Sequence, residues 1–136
     1  MATEASARWT GGGLVFEGES EGGAMVLASG SDAAGSGPTP MQALLLALGG
    51  CTGMDVVSIL LKMRQPLVGS WVEVRAEQRD EHPRVYTSIE VIYHLEGDLD
   101  EAKVRRAIEL SETKYCPVGG MLRPSVPIVS RYEIER

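Results

Sequence analysis

Between residues 71 and 77 apolar and polar side chains alternate: Val72, Val74 and Ala76 fall on one side of an extended backbone, Glu73, Arg75 and Glu77 on the other. A strand turns successive side chains to opposite faces, so this segment predicts a half-buried strand. The pattern returns over 85–95, with Val85, Thr87, Ile89, Val91, Tyr93 and Leu95 as the inward set. The link between them, 79–84, is charged and turn-like. Residues 41–61 do not alternate at all; MQALLLALGGCTGMDVVSILL holds one charge, Asp55. Its start carries helix signals: Thr39 as N-cap, Pro40 at the first helical position, and Gln42 where a capping-box partner belongs. Pro66 stops that helix at about residues 62–65.

A second helical pattern opens at Asp100, a good cap, with Glu101 in the first turn. Val104, Ala107, Ile108, Ser111 and Tyr115 recur as its packing stripe until Pro117 breaks it. A short turn of helix follows over 118–122, and 128–134 reads as a last strand. Ahead of the first helix lie short strands at 5–10, 14–16 and 24–27, split by Gly11-Gly12-Gly13 and Gly22-Gly23. Residues 29–38 read as a flexible loop. The expected order is β-β-β-α-β-β-α-β, an α/β chain of the α+β kind, folded as one domain over 1–136.

Composition narrows the partners. The 136 residues are 43% hydrophobic but only 5% aromatic, so aliphatic side chains must build the core. A net charge of -6, with no local Lys/Arg cluster, argues against nucleic acid and against an anionic membrane surface. MATEASARW lacks the apolar stretch of a signal peptide, which leads to the expectation of a cytoplasmic protein. Residues 41–61 are long enough to span a bilayer. Gly49, Gly50 and Gly53 thin their apolar surface, however, and no aromatic or basic belt flanks the N-terminal side. A helix apolar on nearly every face also suits the centre of a soluble assembly, and that is the expectation here.

Candidate chemistry centres on two cysteines, Cys51 within the apolar helix and Cys116 in YCPVGG at the end of the second. Either they pack as small hydrophobes or they form a redox pair. Cys51 lies too deep in its helix for the dipole to help a thiolate, so a reactive Cys51 needs a cation or donors from elsewhere in the fold. Asp55, one turn on, reads as a partner in a salt bridge or hydrogen bond to a neighbouring helix. At Cys116 the junction of two helices leaves backbone N–H groups free to point at the sulfur. No metal site is expected: Cys51, His82, His94 and Cys116 lack the close spacings of zinc ligands, and both histidines read as surface residues. Phosphate-loop, dinucleotide and serine-elbow motifs are absent from the sequence.

The helix MQALLLALGGCTGMDVVSIL, the stretch EQRDEHPRVYTSIEVIYHLEG and the junction LSETKYCPVGGML together resemble the OsmC/Ohr family of stress-response and hydroperoxide-handling proteins, most strongly its OsmC-like branch. The resemblance covers nearly the whole chain. It implies an intertwined homodimer in which small antiparallel sheets wrap around two central helices. It also implies that Cys51 is the peroxidatic cysteine and Cys116 the resolving one. An organic hydroperoxide would be the substrate, and an external dithiol or lipoyl-type compound the reductant, with no bound cofactor. Two departures stand out: Met41 occupies the usual glutamate position, and Gly12-Gly13-Leu14 the region of the usual arginine. Arg79 and Arg84, or else Arg8, are the candidates to replace that cation. A dimer that binds small hydrophobic ligands or senses redox state is the alternative.

Overall fold

The computed structural model describes residues 2–31 and 35–136, so the middle of the expected 29–38 loop lies outside the described residues. The chain forms two compact units, 1–44 and 45–136, and their boundary falls inside the first helix.

In the first unit β1 (Ala5–Trp9), β2 (Leu14–Ser20) and β3 (Gly23–Ser29) form an antiparallel sheet in sequence order. The turn between β1 and β2 needs backbone angles that side chains resist, and glycine supplies them at Gly11 (φ 94°) and Gly13 (φ 51°). Trp9 Nε1 closes this turn by donating to the Gly13 carbonyl at 2.8 Å. Helix α1 (Pro40–Lys62) starts with the expected capping box. Thr39 Oγ1 accepts from the Gln42 N–H at 3.1 Å, and Gln42 Oε1 accepts from the Thr39 N–H at 2.9 Å. At the other end Arg64 takes a left-handed conformation (φ 59°). The N–H groups of Arg64 and Gln65 then close back on the carbonyls of Leu61 and Leu60.

The second unit holds β4 (Gly69–Gln78), β5 (Tyr86–Glu96), α2 (Glu101–Leu110), a π-helical turn over Ser111–Tyr115, α3 (Pro117–Leu122) and β6 (Ile128–Glu135). Strand β5 is central: it pairs antiparallel with β4 and parallel with β6. The sheet is therefore mixed, which corrects the expectation of antiparallel sheets alone. Its cause is topological, because the return from β5 through the helices to β6 is a crossover, and crossovers deliver parallel neighbours. Ile89, Val91, Tyr93 and Leu95 are buried as expected, but Val85 precedes the strand and is exposed, as is Thr87, while Tyr86 and Ile92 are buried instead. With helices over one part of the sheet and neighbours on both edges, β5 buries residues of both faces.

Asp100 caps α2, its Oδ1 accepting from the Ala102 and Lys103 N–H groups. Val104, Ala107, Ile108 and Ser111 are buried, but Tyr115 is half exposed. The π turn accounts for this difference, because its wider i→i+5 spacing rotates the following residues off the α-helical stripe. His94 also departs from expectation. It stacks on Trp71 with ring centroids 4.0 Å apart and lies between Glu73 (3.1 Å) and Glu133 (3.4 Å). Hydrogen bonds from His94 and Arg75 hold the Glu73 carboxyl below the usual carboxylate range.

Helix α1 turns Leu48, Gly49, Thr52, Val56 and Leu60 inward. A Cβ on Gly49 would stand 3.1 Å from Val74 Cγ2, and one on Gly53 3.0 Å from Val72 Cγ2, so the glycines set how closely α1 packs on β4. Gly50 faces open space, while Leu46, Met54 and Leu61 of the same helix are more than half exposed. The helix is long and apolar enough to cross a membrane by length and composition. Its glycine-mediated seat on β4 marks it instead as a core helix with one uncovered face.

Candidate functional site

The two cysteines meet although 65 positions separate them. Cys51 is half-buried on α1, on the turn next to Thr52, and Cys116 is buried at the junction of the π turn and α3. Both are free thiols, and Cys51 is among the groups that raise the Cys116 ionisation.

Local sequence builds the Cys116 setting. Pro117 ends the preceding helical run and starts α3, leaving Cys116 extended (φ -76°, ψ 103°) as the cap. Its sulfur accepts from the Gly119 N–H at 3.3 Å, which fulfils the expectation of free backbone donors at this junction. Its own N–H donates to the Ser111 carbonyl at 2.8 Å, a bond that closes the π turn. Burial pushes the Cys116 thiol up to about 11, the Gly119 N–H opposes this, and Cys51 and the Asp55 charge raise it further. At neutral pH Cys116 is a thiol.

Beneath the sulfurs runs a polar file that sequence reasoning did not find. Asp55 Oδ2 accepts from Ser111 Oγ at 2.9 Å, so Asp55 does bond a neighbouring helical segment. Ser111 Oγ lies 2.7 Å from Thr52 Oγ1, which lies 2.8 Å from Tyr93 OH, and Tyr93 OH is 2.8 Å from Glu112 Oε2. Thr52, Ser111 and Tyr93 are each at most 2% exposed. Burial shifts the Tyr93 phenol strongly upward, so it stays protonated. The one signal in sequence was Thr52 and Asp55 standing three apart on an apolar helix; Tyr93 and Ser111 read there as core positions.

The candidate arginines fall in different places. Arg8 pairs in register with Glu17 in the first sheet. Arg79 forms an ion pair with Glu81 at 3.4 Å, and the Arg84 carbonyl accepts from Gln78 Nε2 in the turn after β4. The largest influences on Cys116 include none of the three. Another arginine stands near the Cys116 sulfur: a Cβ on Gly119 would lie 3.5 Å from Cys116 Sγ and 3.7 Å from Arg123 Nε. The glycine at 119 is what lets sulfur and guanidinium approach the same spot. Among the described residues no group of His, Cys, Asp and Glu side chains is arranged to hold a metal ion.

An α+β frame of two sheets whose helices bring two free thiols into contact defines a protein suited to cysteine-based redox chemistry. The chain belongs to the OsmC family: the family model described as OsmC-like protein matches residues 33–131. Protein YhfA of Escherichia coli strain K12 is 42% identical over 132 residues, covering 96% of this chain and 97% of that one. A crystal structure of a hypothetical protein from Aquifex aeolicus VF5 superposes with a TM-score of 0.86 at 28% identity, covering 100% of this chain and 99% of that one. The organic hydroperoxide resistance protein OhrB of Bacillus subtilis shares the fold, with a TM-score of 0.67 at 16% identity and 98% of each chain covered. Family membership and the adjacent thiols together support a redox role.

Proposed function

We propose that the protein is a cytoplasmic homodimeric peroxidase that reduces organic hydroperoxides through Cys51 and Cys116. The Cys51 thiolate attacks the distal peroxide oxygen, the O–O bond breaks, and the alcohol leaves with a proton, producing a sulfenic acid on Cys51. The Cys116 thiol then attacks that sulfur; an S–S bond forms, and the sulfenic oxygen departs as water with the Cys116 proton. An external dithiol of lipoyl type returns both sulfurs to the reduced state. The observation that carries this reading is the pair of neighbouring thiols in different settings: Cys51 is half-buried, while Cys116, buried and held up to about 11, is poorly suited to attack first and well placed to condense with its neighbour. The organic hydroperoxide as substrate follows the activity in the name of the Bacillus relative.

The test is peptide mapping without reductant after one equivalent of cumene hydroperoxide. A Cys51–Cys116 disulfide within one chain is expected, with cumyl alcohol released in equal amount; modification of Cys116 alone would reverse the two roles. A second reading, a dimer that binds small hydrophobic ligands or responds to redox state, draws on Met41 at the position of the family's usual glutamate. Protein that leaves the hydroperoxide unconsumed while retaining both thiols would favour it.

A further inference from the structure

The polar file under the cysteines is one proton short. Its four contacts, from Asp55 through Ser111, Thr52 and Tyr93 to Glu112, all fall between 2.7 and 2.9 Å, the length of hydrogen bonds. A hydroxyl carries one proton, so Ser111, Thr52 and Tyr93 supply three protons for four links. With both carboxyl groups ionised, Ser111 donates to Asp55 and Tyr93 to Glu112. Thr52 then has one proton for two buried neighbours, and one link becomes two oxygens in contact with no hydrogen between them. Water cannot relieve that mismatch where the three hydroxyl residues are almost wholly buried. A fourth proton removes it. Placed on Asp55, it lets every hydroxyl donate toward Glu112; placed on Glu112, it lets every hydroxyl donate toward Asp55.

We propose that Asp55, Ser111, Thr52, Tyr93 and Glu112 hold one proton in common and relay it between the thiol pair and the surface at Glu112. The two arrangements differ by one proton shift along each of the four links, with no oxidation and no bond to carbon or sulfur altered. At the inner end, Asp55 is one helical turn from Cys51 and acts electrostatically on Cys116. At the outer end, Glu112 lines a groove of about 440 Å3 together with Arg105, Glu109, Arg131 and Tyr132. The charged residues that line the groove with Glu112 are Arg105, Glu109 and Arg131, and Cys51 and Cys116 are the thiols on the Asp55 side. The relay's use rests on the peroxidase reading: thiolate attack on a hydroperoxide releases an alkoxide that must take up one proton. The relay gives that proton at the Asp55 end and is refilled through Glu112. When an external dithiol reduces the disulfide, one of its two protons stays on the Cys116 thiol and the other leaves to solvent, while Cys51 returns as thiolate.

Thr52→Val tests the sharing directly, since it removes the middle hydroxyl and leaves two isolated links with two protons. Infrared spectra of the reduced protein at neutral pH are expected to show the carbonyl stretch of one protonated carboxyl, lost in Asp55→Asn or Glu112→Gln, whose amide supplies the missing donor. That band should vanish in Thr52→Val and persist in Thr52→Ser. Tyr93→Phe, which also leaves protons and links equal in number, serves the same purpose if Thr52→Val fails to fold. Absence of the band from the wild type, or its survival in both the valine and the phenylalanine variants, overturns the shared proton. In single-turnover reactions with cumene hydroperoxide, Thr52→Val should slow sulfenic acid formation on the order of a hundredfold. It should also lose the solvent isotope effect on that step, and Thr52→Ser should restore both; unchanged rate and isotope effect in Thr52→Val overturn the relay. Failure of the wild type to form any disulfide removes the peroxidase reading alone, and the infrared result then decides the shared proton by itself.

Discussion

At Cys116 a single thiol registers its surroundings twice, in reactivity and in stability. The group ionises at about 11 in the folded chain against an ordinary value of 9.0. Between those values the unfolded chain has released a proton that the native state still holds, so native stability falls as pH rises through that window. The denaturant midpoint should therefore drop on going from pH 9.0 to about 11, and drop less in Cys116→Ser; equal slopes would mean that other groups dominate. At neutral pH the same burial makes Cys51 the first thiol alkylated by iodoacetamide. The cation for Cys51 is expected from Arg79 or Arg84, so replacing the responsible one with methionine should slow labelling of Cys51 in a Cys116→Ser background by roughly tenfold, the effect of one close charge. Loss of rate in Arg123→Met instead would assign that part to the guanidinium beside Gly119.

Among the elements, α1 was the most legible in sequence, and the reason is local. Its N-terminal signal is a reciprocal pair of side-chain and backbone bonds within four residues, Thr39 to Gln42, which needs nothing from the rest of the fold. The π turn was not legible, because its widened bonding is fixed by Ser111 reaching Thr52 and Asp55 on α1. Tyr115 is exposed for that reason. The parallel seat of β6 was equally hidden, since alternation fixes which face is buried but not which neighbour runs alongside. Both cysteines were visible as candidates; the hydroxyl file beside them was not, as threonine, serine and tyrosine inside apolar patterns look like packing until their partners are known. The fit of α1 on β4 gives a stability test. Gly53→Leu drives a side chain against Val72, already 3.0 Å from the first added carbon, and should cost about 1–3 kcal/mol in urea unfolding. The same change at Gly50 meets nothing within the chain itself, so a cost there would report contact with a second copy.

For the whole molecule, α1 presents an uncovered apolar face. Leu46, Met54 and Leu61 are 64%, 75% and 55% exposed on a helix with only one charge between residues 41 and 61. A second copy of the chain is the expected cover, and sedimentation at micromolar concentration should give a dimer of 14.6 kDa chains. Met54→Glu should shift that equilibrium toward monomer; a wild-type chain that sediments as a folded monomer would remove the homodimer. The division of the chain has a spectroscopic consequence. Its two tryptophans fall one to each compact unit, Trp9 tied to the β1–β2 turn and Trp71 stacked on His94 in β4. Trp9→Phe and Trp71→Phe therefore yield two proteins, each fluorescing from one unit only. Because α1 belongs to both units and helices melt cooperatively, the two emission transitions in urea are expected to coincide, as a single domain over 1–136 requires. Two separated midpoints would instead make the first sheet an independent folding module, with an intermediate that glows from only one of its two lamps.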